Sequence, residues 1–323
     1  MSLALSCAMP AALVAQATSS IGGLDAEVKQ SQIPRTSDGQ PDLQGVWSYA
    51  TLTPMERPDD VSGKDVLTDA EAVEFEVQTL RRQNRDLNVP AGNVGDYNNF
   101  WYDRGTKVIE SKRTSLVIDP PHGKIPSLTA AAMERQKRIA EARRGIGLDE
   151  PTPGGFVEDL GPGHLRVRCM LGSHSGPPIT PGAYNNHVQI FQVPGFVVLV
   201  DEQIHNARII PTDGGPRSRI RQWVGDSRGR WEADTLVIET TDFLPETQFN
   251  TRARFSASLR VVERITRVDA DTLLYGATLE DPATWTRPWT YEVLMTTSAE
   301  PIYEYACHEG NYGLVNILSG ARE

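Results

Sequence analysis

From residue 187 onward, apolar and polar positions alternate with a period of two, and short turn signals such as Pro194-Gly195 and Asp269-Ala270-Asp271 break the runs. That is the pattern of half-buried strands. It predicts strands over 188–193, 196–202, 204–211, 220–226, 230–231, 236–243, 258–268, 271–280, 286–295 and 302–306, with Ser227-Arg228-Gly229 as a turn. Connections this short favour antiparallel neighbours, hence a meander, and about eight such strands can close into a barrel that holds one small ligand. The first half reads differently. A turn-rich stretch, 34–47, enters a short strand near Val46-Trp47, and another strand covers 115–119 before Pro120-Pro121. Thr68 and Glu71 form a capping box. Val73, Val77, Leu80 and Leu87 follow on one face of a helix running to about Asn88, and a second helix spans 129–144, ended by Gly145. Residues 91–110 and 147–186 are loops rich in Gly with Asn or Pro, and the second is long enough to expect a function for it.

The amino end changes the compartment. No charged residue occurs between Ser2 and Leu24; 3–15 is apolar, and Ala15-Gln16-Ala17 is a small-x-small cleavage pattern. The reading is a signal peptide over 1–17, a leader over 18–33, and one domain over 34–323, in which 34–186 elaborates and covers a barrel of 187–312. Pro10, the serines and Gln16 make the apolar stretch a poor membrane helix, so no membrane span is expected. Loss of Cys7 with the leader leaves Cys169 and Cys307, an even pair that suggests a disulfide in a periplasmic or secreted chain. Lys and Arg total 32 against 42 Asp and Glu, a net charge of −10, which argues against a nucleic-acid partner. No phosphate loop, dinucleotide fingerprint, HxxxH or HExxH spacing occurs, so no cofactor or metal is expected. Gly225-Asp226-Ser227-Arg228-Gly229 has the Gly-x-Ser-x-Gly spacing, but it falls in a turn between strands and opens no helix, which leaves nucleophilic catalysis without support.

The blocks "PRTSDGQPDLQGVW", "RTSLVIDPP", "RQWVGDSRGRWEADTLVIETTDF", "VVERITRVDADTLLYG" and "PIYEYACHEGNYGL" resemble a family of exported bacterial proteins, a likeness that covers nearly all of the chain after the leader. It implies export and brings no activity with it. Through its meander and the Gly45-Val46-Trp47 turn, the strand half is also similar to calycins of the lipocalin type. The fold expected is therefore mainly β, an antiparallel meander closing into a calycin-like β-barrel, with two helices in the N-terminal half.

Candidate chemistry follows from strand parity. Leu259, Val261, Glu263 and Ile265 share one face, so Glu263 is a carboxylate among apolar residues, suited to acid–base work unless an Arg of the next strand pairs with it. Asp201, Gln203 and His205 share a face if that strand continues, with His205 as a proton carrier and Glu202 and Arg208 as groups that bind a polar substrate. His308 and Glu309 follow Cys307, which would fix them beside the 147–186 loop; a structural latch is the alternative. Two aromatic and amide clusters complete the set. Trp101, Tyr102 and Asp103 lie in the first loop, and Tyr184 and Asn186 precede His187 at the end of the second. Asp103 is a further acid–base candidate; the others suit a ring-bearing or carbohydrate-like ligand. The expectation is a cofactor-independent acid–base enzyme of the lyase, hydratase, isomerase or cyclase type. The alternative is a non-catalytic lipocalin-like ligand-binding protein.

Overall fold

Alternation of inward and outward side chains becomes a single ten-stranded sheet. The structure, a computed structural model, describes residues 33–87, 98–146, 165, 169–172, 174–218, 220–244, 255–307, 309, 310, 312 and 319. The expected signal peptide, the leader up to residue 32, residues 147–164 and 166–168 of the expected 147–186 loop, and His308 lie outside the described residues.

The strands are β1 (Gly45–Ser48), β2 (Val117–Asp119), β3 (His187–Val193), β4 (Phe196–Asp201), β5 (Ala207–Pro211), β6 (Asp226–Glu232), β7 (Thr235–Thr241), β8 (Arg260–Arg267), β9 (Thr272–Glu280) and β10 (Trp289–Thr297). Their order is β5-β4-β3-β1-β10-β9-β8-β7-β6, every ladder antiparallel, with β2 added against β10. The path nearly closes, because the end strands β5 and β6 meet. Gly229 of β6 lies so close to β5 that a methyl group there would sit 3.1 Å from Ile210 and 2.9 Å from Thr212. The fold is thus mainly β, a nearly closed antiparallel barrel, with two α-helices given in full among the described residues, α1 (Asp69–Gln83) and α2 (Ala130–Ala142).

The barrel is not one unbroken meander. Two runs, β3-β4-β5 and β6 to β10, are joined by β1, which comes from the segment expected only to cover the barrel. Trp47 of β1 is wholly buried in the wall, its indole N–H donating to the Leu43 carbonyl at 2.9 Å. Inward positions such as Val188, Leu199, Ile265, Tyr275, Tyr291 and Met295 fill the interior. The disulfide between Cys169 and Cys307 is present, with Cα atoms 6.1 Å apart across a separation of 138 residues.

Several boundaries differ from the expected ones, each for a local reason. The run 204–211 does not begin as a strand: Ile204 and His205 have positive φ (59° and 40°), making a tight turn that leaves only β5 extended. Residues 220–225 are not a strand among the described residues, and Ser227-Arg228-Gly229 is strand interior; the reversal occurs at Ala233, at φ 51°. Residues 302–306 also form no strand. Helix α1 stops five residues short of Asn88, because the Asn84 side chain accepts the N–H groups of Asp86 and Leu87 and turns the chain. Its expected apolar face is exposed (Val73 56%, Val77 40%, Leu80 40%). Ala72, Glu76 and Thr79 are the buried positions instead. Glu76 docks that face by accepting from Lys107 Nζ at 2.9 Å and the Val108 N–H at 3.1 Å, so polar contacts override the apolar period.

Candidate functional site

The hairpin β3–β4 sets up the site. Its register pairs Val193 with Phe196 and Val188 with Asp201, both of the latter pointing into the core. His187 and Glu202 follow at the rim, where β4 has ended and Glu202 takes helical angles (φ −62°, ψ −40°), and the Glu202 N–H donates to the His187 carbonyl at 3.0 Å. Their side chains meet: His187 Nδ1 lies 3.1 Å from Glu202 Oε2. Glu202 is buried, its other oxygen accepting the Tyr303 N–H at 3.4 Å, whereas His187 keeps part of its ring exposed. A third group, Asp103, places Oδ2 3.8 Å from His187 Nδ1.

Asp103 is held by its backbone. Its N–H donates to the Ala183 carbonyl at 3.0 Å, and its carbonyl accepts from Asn186 Nδ2. Asn186 also bonds both backbone groups of Gly182, so this buried amide locks the two loops together. Behind it, buried His174 donates from Nε2 to the Tyr184 carbonyl at 2.8 Å. The His174 ring rests on Gly182, where an added methyl would fall 2.4 Å from Nδ1, so only glycine fits.

Electrostatics separate the three groups. The hydrogen bond to Glu202 raises the His187 pKa above the ordinary imidazole value, with the charges of Glu202 and Asp103 adding to it and partial burial opposing. Partial burial raises the Asp103 carboxyl; His187 opposes that and Glu202 reinforces it. His174 moves the other way, lowered by burial, and stays a neutral donor. The arrangement is a carboxylate holding the Nδ1 side of an imidazole while a second carboxyl of shifted affinity stands by. Among the described residues no hydrogen bond engages His187 Nε2.

The sequence-predicted residues fall into three groups. Asp103, Glu202, Tyr102 and Tyr184 gather at the rim, the two tyrosine rings 6.5 Å apart, and Asn186 supports them from beneath. Arg208 and Glu263 form a separate, sealed pair with N–O distances of 2.7 and 2.8 Å across the interior, and Tyr275 donates to Glu263 at 2.8 Å. The Arg comes from β5 and not from a strand next to β8. Glu263 has no accessible area, so it borders no void that admits a water molecule. The remainder lie apart. His205 is exposed on the turn after Glu202, its side chain off the face shared by Asp201 and Gln203, because the positive φ values break the strand. Trp101 is 60% exposed, edge-on to Phe100 at 5.5 Å. Glu309 is exposed beyond the disulfide. His187 is the residue that sequence reasoning passed over.

Among the described residues no group of three or more His, Cys, Asp or Glu is arranged to hold a metal ion, and no helix is long and apolar enough to cross a membrane. No protein-family model and no curated protein matches the chain. Among solved structures, a "secretary abundant heat soluble (SAHS) protein" from Ramazzottius varieornatus is similar at 9% identity and a TM-score of 0.24, over 35% of this chain and 70% of that one.

Proposed function

We propose that this protein is an exported acid–base enzyme whose reacting centre is His187, held by Glu202 and attended by Asp103 at the barrel rim. The observation that carries the reading is the 3.1 Å contact between His187 Nδ1 and a buried carboxylate, made on a ring that remains partly open to solvent. Glu202 fixes the tautomer with the proton on Nδ1, which leaves Nε2 to take a proton from a bound molecule and return it elsewhere. That is the chemistry of elimination, hydration or isomerisation, and it needs only this chain's groups. Asp103, with its raised affinity for a proton, is the second donor or acceptor. The tyrosine pair beside it suits a ring-bearing or carbohydrate-like substrate. The disulfide supports an oxidising compartment. The competing reading, a lipocalin-like carrier, needs room in the barrel interior; the absence of accessible area at Glu263, Tyr275 and Tyr291 weighs against it.

Hydrogen exchange at carbon tests this without identifying a product. The protein is incubated in D2O with a panel of hydroxy acids, keto acids and sugar acids, and deuterium uptake at carbon is followed by NMR. Uptake by at least one compound, lost in His187→Asn, is expected. His187 should also titrate above the ordinary imidazole range and move down in Glu202→Gln. No His187-dependent exchange with any compound, together with an ordinary His187 titration, overturns the proposal.

A further inference from the structure

The loop that delivers Asp103 carries a cation directly after it. Arg104 lies over the Tyr102 ring, its guanidinium carbon 3.8 Å from the ring centroid, and Arg85 approaches the same ring at 5.9 Å. Nη1 of Arg104 donates to the Gln83 carbonyl at 3.4 Å, at the end of α1. No carboxylate reaches Arg104 among the described residues, although the side chain is half-buried. A guanidinium drawn partly out of water ordinarily finds a carboxylate, especially in a chain of net charge −10. This one is instead positioned by the Tyr102 side chain, which it overlies and bonds, and by one backbone carbonyl, so no negative charge among the described residues answers its fork. Burial lowers its proton affinity from the usual arginine value, as expected of a cation lacking a counter-charge.

Resting on the His187 reading, we propose that the substrate is an anion, a carboxylate on a ring-bearing body, and that Arg104 is the residue that binds its charge. The assignment fits the chemistry. Removing a proton from carbon next to a carboxylate builds negative charge on the carboxylate oxygens, and a fixed guanidinium stabilises that charge as it forms. The proton goes to His187, and the electron pair stays on the substrate until it expels a leaving group or takes a proton back. Tyr102 holds the guanidinium plane, and Tyr184, 6.5 Å from Tyr102, offers a further ring at the same edge.

The probe is benzoate, with benzamide as its uncharged counterpart, titrated into the full chain and followed by NMR. Saturable benzoate binding is expected, at least tenfold tighter than benzamide and weakened by added salt. Arg104→Met should lose at least tenfold for benzoate and nothing for benzamide, while the His187 titration stays as in the wild type. Arg104→Lys, which keeps the charge and loses the fork, should fall between and serves if the Met variant fails to fold. Equal affinity for the two probes, benzoate binding that survives Arg104→Met, or no saturable benzoate binding overturns the assignment. A raised His187 titration alongside any of those results leaves the acid–base reading standing. An ordinary titration together with no His187-dependent exchange removes that reading whatever benzoate does.

Discussion

Two carboxylates in this barrel each hold a cationic partner at hydrogen-bond distance, and their surroundings are opposite. Glu263 meets Arg208 in the sealed interior, both oxygens engaged and no accessible area on the acid. Glu202 meets His187 at the rim, where the acid is buried and the imidazole is not. Burial alone would lower the Arg208 proton affinity, but Glu263 more than reverses it, so the guanidinium stays charged. The rim pair holds a proton that can leave. The comparison assigns the first to architecture and the second to chemistry, whereas strand parity offers Glu263 as an acid–base group unless an arginine pairs with it, and Glu202 only as a substrate-binding one.

The largest expected effect breaks the interior pair. Glu263→Ala strands a guanidinium in the core and should cost about 3–5 kcal/mol in a urea denaturation, whereas replacing both partners with apolar residues of similar volume should cost far less. His187→Asn should change stability by no more than about 1 kcal/mol. Should the rim variant prove the more damaging, the two roles are reversed.

Next in size is the disulfide. Its loss in Cys169→Ser with Cys307→Ser should cost about 2–4 kcal/mol by freeing the unfolded chain. The sharper consequence is local. Cys307 anchors the segment whose Tyr303 N–H supports Glu202, so His187 should titrate nearer its ordinary value in the reduced protein while the interior pair stays intact. A His187 titration unchanged by reduction would sever that link.

Asp201 stands between the two regions, next to Glu202 in sequence but pointing inward. Neither carboxyl oxygen has a hydrogen-bond partner, and burial raises its pKa well above the ordinary value, with Arg208 opposing and Glu263 reinforcing. The folded protein therefore keeps a proton that the unfolded chain releases above about pH 4, and this costs stability increasingly as pH rises toward the folded value. Asp201→Asn should gain about 1–2 kcal/mol at neutral pH, a gain that shrinks as pH falls toward about 4 and is gone below it. A gain independent of pH would mean that the acid is ionised in the fold.

Much of this arrangement is legible in the sequence. The two-residue Pro194-Gly195 turn sets the β3–β4 register, and pairing Val193 with Phe196 carries His187 opposite Glu202. Strand parity instead favours His205, which the positive φ values at the strand end turn away. The alternation that puts Glu263 inside is correct; its partner is not readable, since Arg208 reaches it across the barrel and not along a neighbouring strand. Local signals also specify the Thr68 cap, which accepts the Glu71 N–H at 3.3 Å. They fail for the outer face of α1, where Glu76 decides which side docks. The place of β1 between β3 and β10 is hidden, because its partners are distant in sequence.

The smallest effect tests the rim most directly. The folded His187 pKa is raised above its unfolded value near 6.5, so the contact with Glu202 stabilises the fold fully below that pH and loses its contribution as pH rises through the folded pKa. Wild type and Glu202→Gln should therefore differ in unfolding free energy by about 1 kcal/mol or less at pH 5.5, and by less again at pH 8.5. An amide at residue 202 can still accept from Nδ1, so any remaining difference at high pH measures geometry and not charge. The gap must close as pH rises. A gap that widened would mean that His187 is held neutral, with the proton already withdrawn from the rim, and Asp103 would then be the group from which the chemistry starts.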